Sequence, residues 1–395
     1  MLNYVDRQII ALLKPTLQAQ FGWTNRDYSH MASAFQLSAA IAFLGTGWFI
    51  DRVGLRRGFA IGVGVWSLAG MAHALVGTVG GFVSARIVLG AAEAIGTPAQ
   101  VKTAAAYFPP EQRTMMLGIG NMASNFGAVL APLTVPALAS RLGWRAAFLI
   151  AGGLGLVWVV LWLSVRPPQE TVASDAAIEG ARVPWLSMLR DRRQWALVAA
   201  KGLSDEVWWF LLFFTPDVFH RLFGVSQGEL GYPVALVYVM AALGSFSGGL
   251  LPSWLLQRGW SLNRARKISL LVYSLLILPV PLLIFVSRPW VGAGLLGLAL
   301  FAHQGFSTNV FGMSADLFPA RMVGTAIGIG AFAGNLSGMT MIEAAGWSLD
   351  NGHGYAPLLC ICGVSYLLAL LFIQLLVPRI VPAEGSDRFV PAGAH

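Results

Sequence analysis

Twelve apolar runs set the limits on what this 395-residue chain can fold into. A bilayer core takes about 20 apolar residues per helix, and runs of that size are separated here by turn and charge signals. They fall near residues 1 to 19, 29 to 50, 58 to 77, 81 to 107, 114 to 140, 145 to 165, 195 to 219, 229 to 256, 267 to 286, 291 to 317, 322 to 346 and 357 to 378. Lipid offers the backbone no hydrogen-bond partner, so such runs cross it as helices that satisfy their own amides. With 56% hydrophobic and only 11% charged residues, the chain holds more apolar surface than a soluble fold of this length can bury. The 45 glycines and 20 prolines suit helices packed closely in lipid, where small residues let backbones approach.

The formal charge of +8 is distributed as a topology signal. Lys and Arg sit in short gaps between apolar runs and form no single basic face, which excludes nucleic acid as the expected partner. A stretch rich in Pro and charge, 166–193, reads as a solvated linker. Placing it and both termini in the cytoplasm puts about 16 basic residues inside and about six outside, as the positive-inside rule expects. The domains expected are a first six-helix half over 1–165, the linker, a second half over 194–378 and a cytoplasmic tail over 379–395. A direct repeat supports two halves. Phe108, Pro109, Gly118, Ile119, Gly120, Ala123 and Asn125 recur as Phe318, Pro319, Gly328, Ile329, Gly330, Ala333 and Asn335, each at an offset of 210. A parallel repeat of this kind is what halves related by an axis along the membrane normal produce.

Cys360 and Cys362 are too close for an ordinary disulfide and have no His or Cys company, so no metal or cofactor is expected. No Ser-His-Asp or His-Glu-x-x-His arrangement points to an enzyme. No cleavable signal peptide is visible; the first helix is expected to serve as its own insertion signal.

Charges inside apolar runs cost about 2.5–3.5 kcal/mol each on insertion scales and mark a transport pathway by default. Here they are Asp6, Arg7, Arg86, Glu93, Lys102, Lys201, Asp205 and Glu206. Asp6 and Arg7 are adjacent, so they address different neighbours; Arg86 and Glu93, seven apart, share one helix face about 10.5 Å apart along the axis. Arg7 and Arg86 suit a carboxylate, which a planar guanidinium binds bidentately. Asp6 and Glu93 are candidates to load and release protons. The alternative is a set of static interhelical ion pairs. For Lys102 that alternative is open, and Lys201 has Asp205 at i+4 to neutralise it. Gln36, Ser124, Asn125 and Asn335 can read hydroxyl groups. His303, at the repeat position of Glu93, is expected opposite that acid across a cavity, with packing as the alternative. Trp208 and Trp209 suit either stacking on a sugar ring or contact with lipid.

The segment Gly47-x-x-x-Asp51-Arg52-x-Gly54-x-Arg56-Arg57 closes the second run. Its Asp51, Arg52, Arg56 and Arg57 can pair with a neighbouring helix and latch one conformation. This spacing closely resembles the signature loop of the major facilitator superfamily. Asn3-Tyr4-Val5-Asp6-Arg7-Gln8, Ala34-Phe35-Gln36-Leu37, Lys201 to Phe210, His303 to Ser307 and Leu375 to Arg379 together resemble its anion:cation symporter family, especially bacterial hexuronate transporters. The resemblance implies an all-α integral membrane fold, twelve transmembrane helices in two six-helix halves around a central cavity. It implies import of a sugar-acid anion with protons by alternating access, across the inner membrane, by a monomer. Galacturonate or glucuronate is the expected cargo; aldonate, aldarate and aromatic or other organic acids are the alternatives. It also implies that Arg7 and Arg86 bind the anion while Asp6 and Glu93 couple proton flux. The chain departs from many relatives at Ala39, where they carry a Tyr; losing that ring enlarges the site or removes a contact. Only five residues precede Asp6, so the first helix is expected to be incomplete at its N-terminus.

Overall fold

The computed structural model describes residues 1–165 and 185–381; the expected linker up to residue 184 and the tail beyond 381 lie outside the described residues. Regular structure among these is entirely helical. Twelve spans, numbered here α1 to α12, occupy the twelve apolar runs. In the first half they are α1 (Leu2–Leu12 continued by Lys14–Phe21), α2 (Asn25–Val53), α3 (Leu55–Ala72), α4 (Val79–Glu93 continued by Gly96–Tyr107), α5 (Pro110–Leu142) and α6 (Trp144–Ser164). In the second they are α7 (Arg192–Phe223), α8 (Gly231–Gln257), α9 (Leu262–Leu276 continued by the 3-10 segment Val280–Phe285), α10 (Pro289–Leu317), α11 (Ala320–Asp350) and α12 (Ala356–Leu376). Among the described residues, eight helices are both long and apolar enough to cross a membrane on those grounds alone. Spans α1 and α7, which carry most of the intramembrane charges, are among the four that fall below that mark.

The breaks have local causes. Pro15 sits in the first turn of the second piece of α1 and brings no N–H, so the helix restarts at Leu13, whose ψ is 0°. Pro98 acts likewise behind the break between Glu93 and Gly96. Gly22 and Gly224 end α1 and α7 in the left-handed region, at φ +69° and +64°, which a side chain rarely adopts. The bundle shows lipid an apolar exterior, with Val160, Phe246 and Phe285 more than two-thirds exposed.

Close backbone approach sets the positions of the functional helices. Gly90 on α4 lies against the carbonyl of Phe35 and the hydroxyl of Ser38 on α2, with no room for a Cβ. Gly248 on α8 meets the backbone of Gly305 on α10 in the same way. In lipid, where apolar surface gains little from association, such contacts supply much of the cohesion.

The halves meet unevenly. Among the described residues, every hydrogen bond and ion pair joining them lies toward the end that carries the turns after α1, α7 and α11, here called the loop end. Asn25 bonds Asp350, His30 and Ser33 bond Glu343, the Tyr28 hydroxyl donates to the Phe213 carbonyl, and Gln227 reaches the Leu12 carbonyl. Toward the opposite end, the linker end, Leu44 and Trp48 on α2 and Met115, Met122 and Phe126 on α5 are exposed. The bundle is thus closed at the loop end and parted at the linker end.

Candidate functional site

Halfway along the bundle, α1, α2 and α4 bring the first half's charges together. Arg7 donates from Nε to Oε2 of Glu93 at 2.6 Å; its side chain is 15% exposed and that of Glu93 is fully buried. Three rings surround the Arg7 guanidinium: Tyr4 at 5.5 Å, Phe35 at 5.5 Å and, from the second half, Trp209 at 5.6 Å. Arg86 lies on the same Phe35 ring at 5.8 Å. One aromatic side chain therefore holds both arginines, and desolvated cation–π contacts of this kind are worth about 2 kcal/mol.

Arg86 is fully buried, and none of its three guanidinium nitrogens has a hydrogen-bond partner among the described residues. Asp6 is 3% exposed, lies within electrostatic reach of Glu93, Arg86 and Arg7, and leaves Oδ2 unpartnered. Gln36, next to Phe35, is fully buried with both amide atoms unpartnered. Buried polar groups are normally satisfied. This concentration of unmet donors and acceptors, beside one complete ion pair, is what a site for a charged, hydroxylated ligand requires.

Of the residues expected at one site, Asp6, Arg7, Arg86 and Glu93 lie within electrostatic reach of one another, and Gln36 is buried on α2 next to Phe35. Ser124 and Asn125 stand half-buried on α5, the Ser124 hydroxyl turned back to the Gly120 carbonyl at 3.1 Å. Asn335 on α11 is buried and donates to the Ala331 carbonyl at 2.8 Å. His303 is withdrawn into the second half. Its Nδ1 lies 2.7 Å from the Tyr366 hydroxyl, and its ring stacks on Trp208 at 4.9 Å. Trp208, edge-on to Tyr4, stands between it and the first half, so the packing alternative describes His303 better than a position facing Glu93. Ala39 is buried at the α2 wall.

The Asp51 loop ties together helices of a single half. Asp51 pairs with Lys102 on α4, Arg56 donates to the Leu163 carbonyl on α6, and Arg52 stands over Trp48 at 5.7 Å. Lys201 and Asp205 form the expected i,i+4 pair at 2.8 Å. Glu206 accepts from the Ser365 hydroxyl at 2.6 Å.

A second set of residues escaped the sequence reading. Asp217 on α7 forms an ion pair with Lys14 on α1 at 2.9 Å and accepts hydrogen bonds from Arg221 at 2.8 Å and from the Tyr355 hydroxyl. Arg221 passes on to Asn25 at 2.7 Å, and Asn25 to Asp350. The signal was present in Lys14 and Asp217, each a charge near the end of an apolar run, where a topological role is the ordinary reading.

A family model described as Major Facilitator Superfamily matches residues 1–342. The chain belongs to the major facilitator superfamily. It is a multi-pass membrane transporter and not an enzyme. Among curated relatives, the "Hexuronate transporter" of Escherichia coli strain K12 is 27% identical, covering 94% of this chain and 90% of that one. A "D-galactonate transporter" of Escherichia coli O6:H1 is also 27% identical, over 94% and 92%. A "Probable galactarate/D-glucarate transporter" of Escherichia coli K12 is 25% identical, over 97% and 92%. In fold, the chain superposes on a D-xylose-proton symporter with a TM-score of 0.73 at 18% identity, over 96% and 95% of the two chains. A bacterial homologue of the human lysosomal transporter Spinster, crystallised facing inward, gives 0.70 at 21%, over 95% and 92%.

Proposed function

We propose that this transporter imports a sugar-acid anion together with protons by alternating access, with a hexuronate such as galacturonate or glucuronate as cargo. The observation that carries this reading is the pair of arginines on Phe35, one neutralised by Glu93 and the other buried with no hydrogen-bond partner among the described residues. A carboxylate arriving at Arg86 and Arg7 supplies the acceptors that Arg86 lacks and competes with Glu93 for Arg7. The displaced Glu93 and the neighbouring Asp6 then take up protons, because an added anion leaves the site with uncompensated buried charge. Gln36 and Asn335 stand ready for hydroxyl groups.

The closed loop end and parted linker end fit an inward-facing state. With the linker in the cytoplasm, as the basic residues favour, the site opens to the cell interior; the protein then lies in the inner membrane with both termini cytoplasmic, as a monomer. The galactonate and galactarate/glucarate names among its relatives, together with Ala39 in the α2 wall, support aldonate or aldarate as the second reading.

Uptake into proteoliposomes under an imposed pH gradient tests both parts. Galacturonate, glucuronate, galactonate, glucarate and an aromatic acid are the substrates to compare. Accumulation of a uronate that collapses with a protonophore is expected. Uptake of none of the sugar acids would overturn the cargo, and uptake driven by sodium without a pH gradient would overturn the coupling.

A further inference from the structure

The second half carries a cation–carboxylate pair that the proposed import does not yet use. Lys201 and Asp205 are joined at 2.8 Å, their side chains 10% and 12% exposed, and the ammonium also reaches the Ser307 hydroxyl at 3.4 Å and the Phe311 ring at 4.8 Å. Lys201, Asp205 and Trp209 succeed one another at intervals of four, so they share one face of α7. Glycines 330, 334 and 338 of α11, at the same spacing, lie against these three side chains in order, which leaves that face the width to hold them. Trp209 is the residue that touches the Arg7 guanidinium. Asp205 in turn lies within electrostatic reach of Tyr4, another ring around Arg7. Eight residues of α-helix separate Trp209 from Lys201, about 12 Å along the axis toward the parted end.

We infer that Lys201 is a second anion subsite, reading the far carboxylate of a six-carbon diacid whose near carboxylate sits at Arg7 and Arg86. The inference rests on the sugar-acid reading above and narrows its substrate class. A six-carbon chain with a carboxylate at each end and a hydrogen bond of about 2.8 Å beyond each spans a distance of that order. A uronate, with a ring hydroxyl at its far end, needs only Ser307 there and leaves the Lys201–Asp205 pair intact.

Charge balance then separates the two cargoes. When a far carboxylate takes the Lys201 ammonium, Asp205 loses its counter-ion, and a bare carboxylate in this setting is costly. Asp205 therefore takes one proton from the medium; the Lys201–Asp205 ion pair is exchanged for a Lys201–substrate pair and a neutral Asp205 acid. A diacid is carried with one more proton than a uronate, and the translocated charge is the same for both.

The experiment is uptake by the full chain in proteoliposomes with glucarate and glucuronate side by side, reading KM and the proton-to-substrate ratio from reversal potentials. In the wild type, glucarate should carry one proton more than glucuronate. K201Q should raise the KM for glucarate about 30-fold or more while changing that for glucuronate by less than about threefold, the loss expected when one partner of a buried charge contact is removed. D205N, which keeps Lys201 available, should retain glucarate uptake and lose the extra proton. K201M/D205N removes both charges and leaves neither stranded, so a matching glucarate defect in a variant that elutes and melts as wild type separates recognition from folding. Equal loss for the two substrates in K201Q, equal proton ratios in the wild type, or glucuronate uptake with no glucarate uptake would overturn the subsite and leave the sugar-acid reading standing. Uptake of neither acid by the wild type would remove the reading on which it rests.

Discussion

Lys14 and Asp217 form an ion pair of 2.9 Å between the first helix of one half and the first helix of the other, with neither side chain more than 1% exposed. Lys14 also lies 4.8 Å from the Tyr28 ring and 4.9 Å from that of Phe214, so the pair is roofed by aromatic surface from both halves. A buried pair contributes little net stability when intact, but losing one partner costs about 3–5 kcal/mol because the other charge is left stranded. Its main consequence is therefore conformational. The pair exists only while the loop end is closed.

Asp217→Asn is expected to weaken loop-end closure more than Lys14→Met does. Asp217 pairs with Lys14 and accepts hydrogen bonds from Arg221 and Tyr355, whereas removing Lys14 leaves both of those hydrogen bonds in place. Spin labels at Thr24 and Asn351, on opposite halves of the loop end, should show a longer-distance population in both variants and a larger one in Asp217→Asn. Unchanged distances would show that apolar packing, including the contact of Gly346 with Ser29, closes this end without the charges.

Arg86→Met should raise stability and abolish transport. A fully buried guanidinium with no hydrogen-bond partner among the described residues is a folding liability, and exchanging buried charge for well-packed apolar volume has gained about 1–4 kcal/mol elsewhere. Functional sites store such unfavourable groups because the ligand satisfies them. The melting temperature should therefore rise while uptake of every sugar acid vanishes. A lower melting temperature would mean that Arg86 is satisfied in the resting protein and serves as a structural anchor.

Glu93→Gln separates binding from coupling. The amide still accepts from Arg7 at the position of Oε2 but cannot exchange a proton, so net accumulation under a pH gradient should fail. Exchange of external for internal substrate needs no change in protonation and should persist within a few-fold of wild type. Loss of both activities would place Glu93 in anion binding. Accumulation against a gradient would remove it from the proton path.

The fold was largely legible because lipid enforces it. Run length, basic gaps and the 210-residue repeat each follow from a constraint that acts along the chain, and the twelve helices lie where those signals put them. At the site, Asp6, Arg7, Arg86 and Glu93 could be found because a charge inside an apolar run is conspicuous. Phe35, Tyr4 and Trp209, which gather the two arginines, are apolar residues in apolar runs and carry no such mark. His303 stayed open between cavity and packing for a related reason: the repeat fixes its position on α10, but Trp208 on α7 decides what the ring touches. The Lys14–Asp217 pair joins residues 203 positions apart, and only the assembled halves bring them together.

The Asp51 loop leads to a prediction of a different kind. The contacts it makes with described residues in this closed-loop-end state stay within the first half: Asp51 pairs with Lys102, with side chains 48% and 39% exposed, and Arg56 reaches Leu163. An exposed pair of this sort is worth about 0.2–1 kcal/mol, too little to hold a state on its own. If the loop latches a conformation, it must do so in the opposite state, when the linker ends of the halves approach. Asp51→Asn should then leave the melting temperature of the purified protein within about 2 °C of wild type, since a loss below 1 kcal/mol shifts a large domain by no more than a few degrees. The transport cycle should slow nonetheless, because the state that needs the latch is the one the empty carrier must revisit. Initial-rate uptake should show a lower maximal rate at unchanged KM. A raised KM with an unchanged maximal rate would instead place Asp51 in the entry path of the anion.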